Sequence, residues 1–299
     1  MVKHIGRLPA NRRALRFRNR STQRTTMSNS HIPVELLDHI VDHLHDAEDA
    51  LRNCCLVSKS WIPRARKHLF ADVEFLTAGS LQSWKETFPN PSTSPARYAN
   101  TLSVRCFQIV TDAEVGGWIR GFSRVVYLDM GGQGTSPSLS VVSFDPFHGF
   151  SPVIRSLRLA IPSLSSPHIF NLILSFPLLE DLAVSIEAYN EPLTDNDDGP
   201  DLLPTLARPP SPPMFTGSLE LLLWGGVKHI IRWLLSLSGG IHFRKFIWAG
   251  FREEDFSLMM ALVEGCSQTL ESLDITRNNP MIGTSIRHLR PHKITQCCF

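Results

Sequence analysis

His39 and His43 stand four residues apart, a spacing that puts two imidazoles on one helix face, and His45, Cys54 and Cys55 follow closely. Nitrogen and thiolate ligands of that kind suit zinc. A metalloprotease helix needs a glutamate directly after its first histidine, but Ile40 is there, and no second ligand pair is fixed. Asp38 and Asp42 share the stretch, as on a solvated face, so no metal is expected. Gly131-Gly132-Gln133-Gly134 follows an apolar strand pattern and offers a phosphate-cradling turn. A dinucleotide site needs one more glycine three residues on, where Pro137 stands, so a plain turn is expected. There is no Gly-x-Ser-x-Gly. Cys54-Cys55 and Cys297-Cys298 are adjacent pairs unsuited to a normal disulfide, and Gln296 takes the place a prenylated cysteine would need. These residues imply no enzyme and no cofactor.

Composition narrows the remaining classes. The 299 residues are 42% hydrophobic, enough for a core. The best apolar stretch, Leu219 to Leu237, carries Glu220, Lys228 and Arg232, which argues against a membrane span. Six cysteines without a CxxC read as reduced thiols of the cytoplasm or nucleus. Charge is uneven. Residues 1–27 hold eight Lys/Arg and no acid, which leaves 22 basic against 28 acidic residues, a net of −6, in the rest. A globally basic nucleic-acid binder is therefore disfavoured. The tail 1–27 is expected to be a disordered basic arm, an extension upstream of a working start at Met27, a nuclear-import patch, or a mitochondrial presequence.

Residues 28–75 are dense in helix signals. Pro33 suits a helix start. Leu36, Leu37, Ile40, Val41 and Leu44 then form one apolar stripe. Asp46 is expected to cap a second helix with Glu48 and Asp49 in its first turn, and Ser60 to cap a third running to about Leu69. Three short helices bury little surface by themselves, so a neighbour is expected.

From about residue 99 to 278 an apolar-x-x-apolar-x-apolar template recurs seven times. Its copies are Ala99/Leu102/Val104, Val125/Leu128/Met130, Ile154/Leu157/Leu159, Leu179/Leu182/Val184, Leu219/Leu222/Trp224, Phe243/Phe246/Trp248 and Leu270/Leu273/Ile275. The central positions are 26, 29, 25, 40, 24 and 27 residues apart. Helical patterns fill the gaps at Asp112 to Phe122, Pro167 to Ser175, Val227 to Leu237 and Glu253 to Cys266. A strand and a helix restarted every 25 or so residues predict a curved stack with an inner parallel sheet. The interval of 40 contains Glu191 to Pro213, with seven prolines and four Asp, and reads as a looped-out insertion over 190–213. Residues 279–299 lose the template and are expected to form an irregular tail.

Ile32-Pro33-x-Glu35-Leu36, then Ile40, Leu44 and Leu51, then Leu56-Val57-Ser58-Lys59-Ser60-Trp61 together resemble an F-box motif. Ile32 replaces the usual leucine and Ser58 the usual cysteine, and the resemblance covers roughly 45 residues. It implies a Skp-type adaptor as partner, and through it a cullin–RING ubiquitin ligase. It also implies that Ile32, Pro33, Leu36, Ile40, Leu44, Leu51, Leu56 and Trp61 pack the bundle or face that adaptor. The repeats resemble the leucine-rich repeats that many F-box proteins use to recruit substrate. They are poor copies: the Asn or Cys expected three residues after the template appears only as Asn278, with Phe107, Pro162 and Glu187 in other copies.

The expected fold is thus α+β: a three-helix F-box bundle at 28–75, then an irregular α/β leucine-rich-repeat solenoid at 76–278. The expected function is a non-catalytic substrate adaptor of a ubiquitin ligase. Residues flanking each central template position should point out of the core. These place Tyr127, Asp129, Ser156, Arg158, Asp181, Lys245 and Asp274, with an apolar patch of Leu221, Leu223 and Ile247, on one target-binding surface. The alternatives are a leucine-rich interaction protein without a ligase and a helix-turn-helix nucleic-acid regulator. Asp38, Asp42, Asp46, Glu48 and Asp49 on the first two helices argue against phosphate contact.

Overall fold

Helix signals crowd the first stretch, and helices form there. The computed structural model describes residues 33–106, 115–131, 144–161, 167–186, 213–223, 227–251, 253–277 and 285–289. The basic tail, Ile32, the insertion up to residue 212, Trp224, Asn278 and the last ten residues lie outside them. The chain divides into two compact units, Met1–Ala65 and Arg66–Phe299.

In the first unit, α1 (Val34–His43) begins after Pro33 and carries Glu35 in its first turn. In α2 (Glu48–Val57) the N-cap is Ala47, without a side-chain cap. The expected cap, Asp46, is drawn instead to His45, its carboxylate 3.0 Å from the ring. Glu48 and Asp49 still sit in the first turn, where the helix dipole favours them. The third helix, α3 (Ile62–Leu69), follows a turn in which the Ser60 hydroxyl contacts that of Ser58 at 2.8 Å. Arg64 grips Asp42 with two nitrogens on two oxygens, which ties the start of α3 to α1.

The second unit is built on one nine-stranded sheet whose spatial order is its chain order. The strands are β1 (Asp72–Phe75), β2 (Thr101–Val104), β3 (Tyr127–Gly131), β4 (Ser156–Ile161), β5 (Asp181–Ile186), β6 (Ser218–Leu223), β7 (Lys245–Phe251), β8 (Ser272–Arg277) and β9 (Ser285–Leu289). The first eight are parallel, and β9 pairs with β8 antiparallel. The sheet therefore starts one strand ahead of the first template copy. The irregular tail expected after 278 is corrected at 285–289, which close the far edge as β9. Helices α4 (Ala78–Thr87), α5 (Val115–Ile119), α6 (Pro167–Leu174), α7 (Val227–Leu235) and α8 (Phe256–Gly265) lie between strands. Their apolar residues join the strands in a single core. An α+β chain with a sequential parallel sheet is compatible with a solenoid.

Six of the strands, β2 to β5, β7 and β8, start the same way. A carbonyl at the entry of one repeat accepts two consecutive N–H groups from the next. Ala71 takes Asn100 and Thr101, Asn100 takes Val126 and Tyr127, Val126 takes Arg155 and Ser156, and Arg155 takes Glu180 and Asp181. The series resumes at Gly217, which takes Arg244 and Lys245, and at Arg244, which takes Glu271 and Ser272. At the long interval the pattern is patched. Glu180 accepts Gly217 at 3.1 Å, but the next N–H, from Ser218, goes to Asp181 Oδ1 at 2.6 Å. A Cβ on Gly217 would meet that same oxygen at 2.3 Å, so any larger residue there would displace the Asp181 carboxylate from this bond.

The register corrects one template copy. Leu182 pairs with Leu219, and Leu219 with Phe246. Leu219 and Leu221 are therefore the buried pair, and Glu220 and Leu222 point the other way. The run Leu219-Glu-Leu-Leu-Leu-Trp satisfies the template in two registers, and a one-residue difference exchanges the faces. Pairing, not hydropathy, decides between them. It predicts that Leu221→Ala costs about 2–4 kcal/mol and Leu222→Ala under about 1 kcal/mol in urea unfolding, because only the first leaves a core cavity.

Candidate interaction surfaces

Two surfaces follow from the two units. In the first unit, α1 and α2 turn Val41, Leu51 and Cys54 inward, and Ala65 of α3 is buried with them. That inward set is small, and large apolar side chains are left outside: Val34 (57% exposed), Leu36 (54%), Ile40 (48%), Leu56 (84%) and Val57 (68%). Leu36 and Ile40 are one helical turn apart and share a face. Of the residues expected to serve an adaptor, Leu36, Ile40, Leu56 and Pro33 are exposed, and Leu44 and Trp61 are half-buried. Leu51 is 1% exposed and belongs to the internal packing. Ile32 lies outside the described residues. Val34 and Val57 were not anticipated, since the heptad-like stripe does not include them. The Arg64–Asp42 hydrogen bonds raise the Arg64 pKa above its ordinary value. Asp42, expected on a solvated face, is thus a strut between helices.

The second surface is the sheet face turned away from the helices. Because strand residues alternate, the central row across it reads Glu74, Ser103, Asp129, Arg158, Ala183, Glu220, Ile247, Asp274. Tyr127, Ser156 and Lys245 occupy the row before it, and Arg105, Gly131, Ala160 and Leu222 the row after. Tyr127, Ser156, Arg158, Ile247 and Asp274 are half-buried and Lys245 is exposed, so these expected residues do share a face. Two expected residues do different work. Leu221 is core. Asp181 is spent on Ser218, accepting from its N–H and, at 2.7 Å, from its hydroxyl. The side chain of Leu223 lies outside the described residues. Of the expected apolar patch Ile247 is on this face and Leu221 is not, and the neighbours of Ile247 in its row are Glu220 and Asp274.

Asp129 is 3% exposed and is the most buried acid of this face. Arg105, from the neighbouring strand, donates to its Oδ2 at 2.5 Å. The arginine crosses over Gly131, whose missing Cβ would lie 3.3 Å from the guanidinium and 3.1 Å from Ala160 Cβ. Asp129 Oδ1 is buried and has no hydrogen-bond partner among the described residues, and the same is true of Asp274 Oδ1. Burial raises the Asp129 pKa; the Arg105 and Arg158 charges oppose the rise, and Glu74 adds to it. Glu74, Arg105 and Glu220 were missed because β1 precedes the template, Arg105 sits past its end, and the β6 register was ambiguous.

Among the described residues, no group of three or more His, Cys, Asp or Glu side chains is placed to hold a metal. No described helix is long and apolar enough to cross a membrane. No protein-family model matches the chain, and no curated protein matches it either.

A raised folded-state pKa means that Asp129 holds its proton more tightly in the folded chain than in the unfolded chain. Its contribution favours folding below the unfolded value, near 3.8, and is lost as pH rises through the higher folded value. Asp129→Asn removes this term. The stability of the wild type relative to Asp129→Asn should therefore fall between pH 4 and neutrality in urea titrations; a flat difference contradicts the assignment.

Proposed function

We propose that the chain is a substrate-recognition adaptor of a Skp–cullin–F-box ubiquitin ligase. The helices of the first unit engage a Skp-type protein, and the open sheet face of the second engages a target. The carrying observation is that Leu36, Ile40 and Leu56, on the F-box-like motif, are exposed while Val41, Leu51 and Cys54 fill the inside. Exposed apolar residues at helical spacing fit a partner that supplies a complementary apolar helix. Covering a leucine or isoleucine side chain of this kind contributes about 1.5–3 kcal/mol when burial is complete. The short helices also leave the unit few internal contacts, so association adds to its stability.

The chain catalyses nothing itself in this reading. It raises the effective concentration of a target near the ubiquitin-transfer subunits and sets its orientation. The acidic residues Asp38, Asp46 and Asp49 around the helical stripe favour this over a phosphate-binding role for the same helices.

The test is titration of the full chain with a Skp-type adaptor by calorimetry. Leu36→Asp with Ile40→Asp should weaken binding by at least about a hundredfold, since each places a carboxylate in an apolar contact. Circular dichroism should match the wild type, because both side chains are outside the packed interior. A double variant that binds at wild-type strength defeats the proposal.

A further inference from the structure

The open sheet face carries a pattern of charge, and two of its carboxylate oxygens lack a donor among the described residues. Across β1 to β8, with Arg105 just past the end of β2, its described residues include six acids, Asp72, Glu74, Asp129, Asp181, Glu220 and Asp274, against three cations, Arg105, Arg158 and Lys245, a net of −3. Two pairs of acids each straddle a neutral residue in the central row: Glu74 and Asp129 about Ser103, and Glu220 and Asp274 about Ile247. Each pair contains a buried carboxylate oxygen without a hydrogen-bond partner among the described residues. Arg105 reaches only Oδ2 of Asp129, and the second oxygen is buried with no donor among the described residues, so the acidic charge is left incompletely compensated. Between the pairs stands Arg158, half-buried and without a hydrogen bond or ion pair among the described residues, beside the small Ala183 and Ala160.

We propose that this face binds an extended, basic segment of the target protein, running across the strands, with two cations on the two acid pairs and an acceptor on Arg158. The inference rests on the reading that the target occupies the sheet face, and it supplies the chemistry of that target. Strands lie about 4.8 Å apart, so Ser103 and Ile247, five strands from each other, are separated by about 24 Å along the row. An extended chain covers that distance in about seven residues. Arg158 is two strands from Ser103, about 10 Å or three residues along the same path. Side chains that face one way in an extended chain stand an even number of residues apart, so the complementary segment reads Lys/Arg-x-x-x-Asp/Glu-x-x-x-Lys/Arg, its long side chains taking up the few ångströms of mismatch. The first cation meets the exposed carboxylate of Glu74 and the second the half-buried Asp274, and charge-assisted hydrogen bonds of this kind are the strong ones. The net negative face repels phosphate, which selects a polypeptide over a nucleic acid.

Fluorescence anisotropy on the full chain tests this with a labelled peptide of that spacing, its spacers Gly, Ser and Thr so that it stays extended. Three controls accompany it: a peptide with every charge reversed, one with the lysines four residues apart, and single-stranded DNA of similar length. The spaced basic peptide should bind at least about tenfold more tightly than each control, the ratio expected from one charge-assisted hydrogen bond. Glu74→Gln and Asp274→Asn, both nearly isosteric and not fully buried, should each cost about tenfold. Equal binding of the charge-reversed peptide, indifference to spacing, preference for DNA, or unchanged affinity in both variants overturns the proposal. Adaptor titration of the same preparations separates the two readings. Loss of adaptor binding with peptide binding kept defeats the ligase assignment alone, and the reverse defeats this inference alone.

Discussion

The second unit depends on one hydrogen-bond arrangement repeated at six strand entries: a carbonyl that accepts two successive N–H groups from the next repeat. It uses only backbone atoms, so it tolerates wide variation in side chain. That is how copies with different side chains at their entries still stack. By fixing where each strand starts, it fixes the parallel register, and register fixes which residues face the helices. Leu128, Leu157 and Leu182 then fall in one buried row, and Asp129, Arg158 and Ala183 in the row turned the other way. Where the long interval between β5 and β6 breaks the series, the Asp181 carboxylate and the bare backbone of Gly217 take over the missing link. The apolar core, the polar face and the position of every candidate residue on it follow from this joint.

Much of that arrangement is legible in the sequence. Apolar spacing at 125/128/130, 154/157/159 and 243/246/248 marks strands because their central residues are buried on one side only. The helical stretches between them hold as well: Pro167–Leu174, Val227–Leu235 and Phe256–Gly265 fall inside the expected windows. What fails is informative. Residues 219–224 are apolar at nearly every place, so hydropathy cannot choose a register, and partner strands must. Asp46 looks like a cap, but capping needs a backbone geometry that Ala47 takes instead. β1 carries too short an apolar pattern, Val73 and Phe75, to be separated from the helices before it.

The binding residues are legible to a lesser degree, for a physical reason. Alternation tells which side of a strand a residue is on, but not what its side chain does there. Asp129 and Asp181 both pointed to the open face. One is buried under Arg105, which passes close over the bare backbone of Gly131; the other is tied to Ser218. Such contacts join residues 24 and 37 positions apart and leave no local signal. In the helical unit the limit is different. Leu36 and Leu51 are equally apolar in sequence, yet one is half exposed and the other buried, since three short helices enclose few side chains.

These facts give the two units different needs. The sheet unit has a large apolar interior, whereas the helical unit leaves much of its apolar surface in water. The central claim is that a Skp-type protein covers that surface. Hydrogen–deuterium exchange of the full chain, with and without the adaptor, tests it most directly. The account predicts slowed exchange in residues 34–43 and 48–57 and unchanged exchange across the strands of the second unit. Protection confined to the strands, with the two helices exchanging as in the free chain, would contradict it.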